Sequence, residues 1–509
     1  AALLAVAMVC AMAIPAFAYD TKEDLDTKHE YDAFQIFKGD VSDDNTKISH
    51  VEWGQNIPHP EDFLPKLRAD STLSSEFANA DSLQKVLDVM KDWKTSDDNS
   101  IAFARFVCNY IYTDANANST PVKQGGHTGG FELDEAGYYL IVDTSPFSDG
   151  DSYHAYNSFL LKVNKAHYHV QITPKVVKPT VEKKVYDNDD GSSWGDNDGW
   201  GSSADHAINE EFQFQLIATL PASENNGRAY DYYDEYMVTF CDTLSAGITF
   251  DRWDTVVINN GGADIPIPAE NYYSDASNQD LTLSIEDVKT CAPGLNLNNG
   301  ATITVTYTAH LNEKAYVNTA GGASNTENKN SVYLIYSNNP RSSAFFDRTP
   351  ESAVCVYTYQ LNNTKYHDEA NSGNELEGAG FKLYSDADCK NEVELYQDGE
   401  FYYPIKNATG KEAVEMKSAA NGQFNVKGLD AGTYYLRETK TPDDYNACAD
   451  KEIVISATHD VNHVSLSGNL STTIINKKAG GITLPSTGGI GTTIFYVVGG
   501  GLMVAAIVL

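Results

Sequence analysis

Cationic side chains are scarce in this chain. Lys and Arg number 36 against 71 Asp and Glu, a formal charge of -35. A surface of that sign repels nucleic acid and anionic lipid, so neither is expected as a partner. It suits a protein that must stay soluble while crowded. Cysteine is sparse too, seven in 509 residues, with no CxxC or metal-ligand spacing. His167 and His169 stand two apart with no further ligands nearby. No metal and no cofactor is expected. The chain also lacks G-x-S-x-G, H-E-x-x-H and a nucleotide loop, so a turnover enzyme is not expected. Charge is absent altogether from the last twenty residues, Ile490 to Leu509, a run long enough to cross a bilayer.

The first eighteen residues, AALLAVAMVCAMAIPAFA, are apolar and end in Ala16-Phe17-Ala18, an A-x-A-like cleavage site. Residues 1–18 therefore read as a signal peptide, with the mature, exported chain beginning near Tyr19. With no initiating Met and no Lys/Arg tail behind the apolar run, the sequence reads as clipped at both ends. Export permits disulfides. Cys10 falls in the signal; of the other six, Cys389 with Cys448 and Cys241 with Cys291 are candidate pairs. Buried free thiols fit each equally well.

Roughly 460 residues remain between the two apolar ends, room for about three domains. Tyr is abundant, at 31 residues, and Gly/Asn/Asp turns recur between short alternating apolar runs, the pattern of β-sandwiches. The fold class expected is mainly β: tandem immunoglobulin-like sandwiches with a few helices in the first domain. Leu83, Val86, Leu87 and Met90 fall on one helical face, and a second helix is expected around Ile101 to Tyr110. Proline-bracketed Pro174 to Pro179, and Asn338 to Pro350, read as linkers. The domains expected are 19–174, 175–349 and 350–480, with 481–509 as a terminal tether and membrane helix. The acidic stretch Asp187 to Trp200 lacks calcium-loop spacing and reads as a solvated loop.

Strand alternation sorts the lysines. Lys175 falls on the polar side of its strand with His169, Gln171 and Thr173. Lys183 shares a face with Val181 and Val185, and Lys365 with Tyr357, Tyr359 and Leu361. Carboxyls repeat the inward phase: Asp242 with Tyr236, Val238 and Phe240, and Glu438 with Tyr434 and Leu436. So do two asparagines, Asn330 with Val332 and Leu334, and Asn476 with Ile474. Burial lowers an amine's pKa and raises a carboxyl's. A neutral Lys, a protonated carboxyl and an Asn in one dry core can form an amide and release ammonia. Lys184 remains an alternative to Lys183, and Asn338 to Asn330; the first domain offers no triad.

Several motifs carry a family resemblance. Leu484-Pro485-Ser486-Thr487-Gly488 ahead of the apolar run resembles the LPXTG sorting signal of Gram-positive surface proteins. Tyr168-His169-Val170-Gln171-Ile172-Thr173-Pro174-Lys175 resembles the pilin motif of SpaA-type backbone pilins, with Thr in place of the usual Tyr before Pro. Tyr434 to Tyr445 is similar to the pilin E-box, with Thr441 for Ala and Asp444 for Gly. Leu376 to Phe381 and Thr473 to Lys477 resemble segments of collagen-adhesin B-type domains, and Asp242 to Phe250 and Asn330 to Pro340 resemble the pilin middle domain.

The resemblance implies the shaft subunit of a covalent pilus, with collagen-adhesin A/B-type domains. A class C sortase would join Thr487 of one subunit to Lys175 of the next, and a housekeeping sortase would fix the base to peptidoglycan. Partners would be identical subunits head to tail, with tip and base pilins. The site would be secreted and cell-wall anchored. Lys183 with Asn330, promoted by Asp242, and Lys365 with Asn476, promoted by Glu438, would form internal isopeptide bonds. The alternative is an ancillary pilin or a single wall-anchored adhesin, which needs the sorting motif but not Lys175.

Overall fold

Alternating apolar residues turn much of the described chain into half-buried strands. Glu211–Leu220 is typical: Phe212, Phe214, Leu216, Ala218 and Leu220 are buried while the residues between them are not. The structure, a computed structural model, describes residues 30–41, 48–93, 97–127, 131–144, 158–163, 168–170, 178–187, 199–223, 229–277, 279–322, 324–338 and 346–479. Contacts divide the chain into two units. One draws on residues 1–204, 211–310 and 327–356, the other on 205–210, 311–326 and 357–509.

In the first unit, Glu30–Val41 is flanked by Ile48–Trp53 and Gly137–Asp143, and Ser158–Val163 pairs with the latter. The strand Gly137–Asp143 is buried throughout, because both its faces are covered. Tyr138, Leu140 and Val142 meet the helices, whereas Tyr139 and Ile141 join a second apolar cluster. Four helices cover this sheet. The expected helical face is observed in Leu83–Met90, which buries Val86, Leu87 and Met90. The second expected helix runs longer, Asp98–Thr113. Pro60–Ala69 and Ser74–Phe77 complete the set. Pro60 opens its helix where no backbone donor is needed, and acidic Glu61 and Asp62 lie in the first turn.

A sandwich follows in the same unit. Its first sheet runs Ile248–Asn259, Ala301–Leu311, Glu211–Leu220, Thr180–Tyr186. The second runs Ser352–Tyr357, Lys329–Ser337, Val238–Leu244, Asp280–Ile285, Tyr273–Ser277. Lys183 lies opposite Leu216 in the first sheet, and Asp242 lies opposite Val332 in the second. The two sheets therefore each present a charged residue to the space between them.

The second unit is another sandwich. One sheet holds Phe401–Pro404, Asn425–Leu429, Tyr359–His367 and Ser471–Asn476. The other holds Gly380–Tyr384, Gly432–Lys440, Lys451–His459 and Val464–Gly468. Tyr359–His367 and Ser471–Asn476 are parallel, with Lys365 opposite Ile474 and His367 opposite Asn476. The turn at Gly422 makes close approach possible. Its φ is +74°, and a Cβ there would meet the Lys365 carbonyl oxygen at 2.4 Å. Among the described residues no helix is long and apolar enough to cross a membrane.

Candidate functional site

Two buried polar clusters stand out, one in each unit. In the first, Lys183 is 2 % exposed, so its amine is shut off from bulk solvent. Nζ donates to both Asp242 carboxylate oxygens at 2.7 Å, and to the Tyr307 hydroxyl at 3.2 Å. The Tyr307 hydroxyl in turn donates to Asp242 Oδ2 at 2.7 Å, and accepts from Asn330 Nδ2 at 2.5 Å. The rings of Phe214 and Tyr307 lie 5.1 and 5.3 Å from the amine. Burial brings the Lys183 amine down to about 8 and pushes the Asp242 carboxyl up. The two groups approach one another in basicity, so moving a proton from amine to carboxylate becomes less costly.

Strand phase anticipates Lys183, Asp242 and Asn330; it misses Tyr307. The signal was present. Tyr307 falls in step with Ile303, Val305 and Ala309 on one apolar face of Ala301–Leu311, and a buried phenol needs a polar partner. The alternatives lie elsewhere. Lys184 is only partly buried, with its amine 3.9 Å from Glu182. Asn338 is buried, and neither polar atom of its side chain reaches a hydrogen-bond partner.

In the second unit, Lys365 and Asn476 are both 0 % exposed. Lys365 Nζ donates to Asn476 Oδ1. It lies 3.4 Å from Glu438 Oε1, and that same oxygen accepts from Asn476 Nδ2 at 2.6 Å. The other oxygen, Glu438 Oε2, accepts from the Cys448 backbone N–H at 2.9 Å and from the Thr441 hydroxyl at 3.2 Å. These two donors aim Oε1 at the amide. Burial holds the Lys365 amine below its ordinary range. The Phe381 ring, 5.4 Å away, closes the apolar side.

The cysteines require a correction. Cys389 and Cys448 are both free, as are Cys241 and Cys291, so the candidate disulfides are not formed. The sulfurs face different neighbours: Cys448 Sγ lies 3.9 Å from Lys365 Nζ, and Cys389 Sγ lies 3.9 Å from Asp450. Lys175, Thr487, the rest of Leu484 to Gly488, the signal peptide and the apolar terminal run lie outside the described residues, as does most of the Asp187 to Trp200 loop.

Among the described residues, two of the groups that bring His and carboxylate atoms together each lie within one unit: His59, Glu61 and Asp62 at a helix start, and His206, Glu210 and Asp430 in the second unit. In the second group the carboxylates already serve other donors: Glu210 takes the Lys406 amine at 2.8 Å, and Asp430 accepts from the Ala431 N–H. In the first, Glu61 pairs with His59 itself.

Comparison with known proteins adds a domain match and a fold. Residues 362–469 match the family described as the SpaA prealbumin-like fold domain. The T6 backbone pilin of serotype M6 Streptococcus pyogenes, a modular three-domain structure, aligns over 90 % of this chain and 97 % of its own. It does so at 15 % identity with a TM-score of 0.50, which establishes a shared fold. The full-length major pilin SpaD from Corynebacterium diphtheriae is 19 % identical, over 72 % of this chain and 84 % of that one, with a TM-score of 0.44. BcpA, the major pilin subunit of Bacillus cereus, is 18 % identical over 71 % and 92 %, with a TM-score of 0.42. No curated protein sequence matches the chain.

Proposed function

We propose that this chain is a shaft subunit of a covalently polymerised surface pilus, tied internally by two isopeptide bonds. The observation that carries this reading is the buried contact of Lys365 and Glu438, both within the SpaA-type match, with Asn476 just beyond its end. A neutral lysine there is a nucleophile, and a carboxyl able to carry a proton lies against the amide it must activate. Nζ attacks Asn476 Cγ, the new C–N bond replaces the bond to Nδ2, and ammonia leaves with the proton that the lysine nitrogen gives up. Glu438 passes that proton on. Lys183, Asp242 and Asn330 supply the same set of groups in the first unit. Each bond forms once and does not turn over, so the protein is a structural subunit and not an enzyme. It needs no cofactor.

Polymerisation uses the other amine. A class C sortase cleaves after Thr487 and transfers its carbonyl carbon to Lys175 of a neighbouring copy. Repetition gives a head-to-tail fibre, a heterologous contact that does not close. A housekeeping sortase attaches the base to peptidoglycan, and tip and base pilins cap the ends. Load then passes along covalent links, through units whose strands are themselves bonded.

Immunoblots of boiled wall extracts test the reading. The expected pattern is a ladder of high-mass polymers, collapsing to monomer in Lys175→Ala with secretion unchanged. Monomer alone in the parent would instead favour a singly anchored adhesin.

A further inference from the structure

We infer that the Tyr307 hydroxyl is a catalytic proton relay for the bond between Lys183 and Asn330, an inference that rests on the isopeptide reading above. The two clusters differ in how the carboxyl reaches the leaving nitrogen. In the second unit the carboxyl touches the leaving nitrogen directly, Glu438 Oε1 to Asn476 Nδ2 at 2.6 Å. In the first unit the carboxyl and the leaving nitrogen are bridged by a phenol. Tyr307 takes Asn330 Nδ2 at 2.5 Å and gives its own hydrogen to Asp242 Oδ2 at 2.7 Å. It also touches the attacking amine, at 3.2 Å from Lys183 Nζ. Asn330 Oδ1 is buried with no hydrogen-bond partner, so among the described residues Tyr307 alone orients the amide that reacts.

The proton count closes through this hydroxyl. Lys183 first passes one proton to Asp242, leaving a neutral amine and a carboxylic acid. Nζ attacks Asn330 Cγ, and the carbonyl electron pair moves onto Oδ1. Asp242 then gives its proton to the Tyr307 oxygen while Tyr307 gives its own to Nδ2. The carbonyl reforms, the Cγ–Nδ2 bond breaks, and ammonia leaves. The new amide nitrogen, still carrying an extra proton, returns it to Asp242. The carboxyl ends protonated, as it was before attack, and Tyr307 is unchanged. Burial pushes the phenol well above its ordinary pKa, so it carries no lasting charge and serves only to pass hydrogen on.

The closing experiment follows both linkages by mass spectrometry of the full exported chain after timed synthesis. Tyr307→Phe removes one oxygen and keeps the ring that packs on Phe214 at 5.3 Å. The expected result is a Lys183–Asn330 linkage about a hundredfold slower or more, the usual scale of general acid–base assistance, with the Lys365–Asn476 linkage unchanged. Linkage at the parent rate in Tyr307→Phe overturns the relay while leaving the isopeptide reading intact. A parent chain that never links Lys183 to Asn330 overturns that reading itself. A second measurement needs no variant: in heavy water the parent's Lys183–Asn330 linkage is expected to slow more than its Lys365–Asn476 linkage, because an extra hydrogen is in flight. Equal slowing of the two counts against the relay.

Discussion

Lys365 donates from Nζ to the side-chain carbonyl of Asn476, a residue 111 positions further along the chain. The two strands run parallel and adjacent, although they are far apart in sequence. A covalent bond at this point closes the 111-position span between them into one loop.

The exported chain is expected to weigh less than its sequence by two ammonia molecules. Asp242→Ala restores one, Glu438→Ala restores the other, and the double variant restores both. Intact-mass measurement decides it; a parent at its full sequence mass removes the internal bonds from the account.

Lys365→Met trades the amine for an apolar side chain of similar length and abolishes the tie. Closing a loop of this size stabilises by about 5 kcal/mol in the chain-entropy treatment. The second unit is therefore expected to melt roughly 10–20 °C lower in this variant. Glu438→Ala is expected to fall further, by about 3–5 kcal/mol more, because it leaves a buried amine without its carboxylate. Calorimetry with and without reductant checks both, and reductant is expected to change neither.

An Asn330→Ala chain cannot form the first bond, so Lys183 keeps an amine whose pKa falls from 10.5 to about 8 on folding. Between those values the unfolded chain holds a proton that the folded chain has released, so stability rises with pH across that window. The contribution is complete above 10.5 and is lost as pH falls through about 8. Urea midpoints of Asn330→Ala should climb from pH ~8 to ~10 relative to Asn330→Ala carrying Lys183→Met. Parallel profiles for the two chains would show that the amine titrates normally.

All six cysteines among the described residues are free in the structure. Denatured without reductant, the exported chain should titrate six thiols. A count of four or two would mean that disulfides form during export.

The inward-facing residues were legible because a strand has a period of two. Lys183, Asp242, Asn330, Lys365 and Asn476 each fall in step with apolar neighbours, and each is almost fully buried. Glu438 was equally legible, and its side chain is 0 % exposed. The helical face of Leu83 to Met90 was readable for the same kind of reason. Thr441 was read only as a departure from a motif, whereas in space its hydroxyl holds Glu438. Cysteine pairing was not readable, since spacing along the chain says nothing about which way two sulfurs point.

Alone, the order of residues determined which side chains must leave water, because alternation and apolar neighbours are local properties. Only the packing of one sheet on another decided which of them meet. Asp242 and Lys183 come from different sheets of one sandwich, and Tyr307 joins them from a third strand. Distances of a few ångströms between residues a hundred positions apart depend on register, which the apolar pattern and the turns set, and on inter-sheet stacking, which no local pattern encodes.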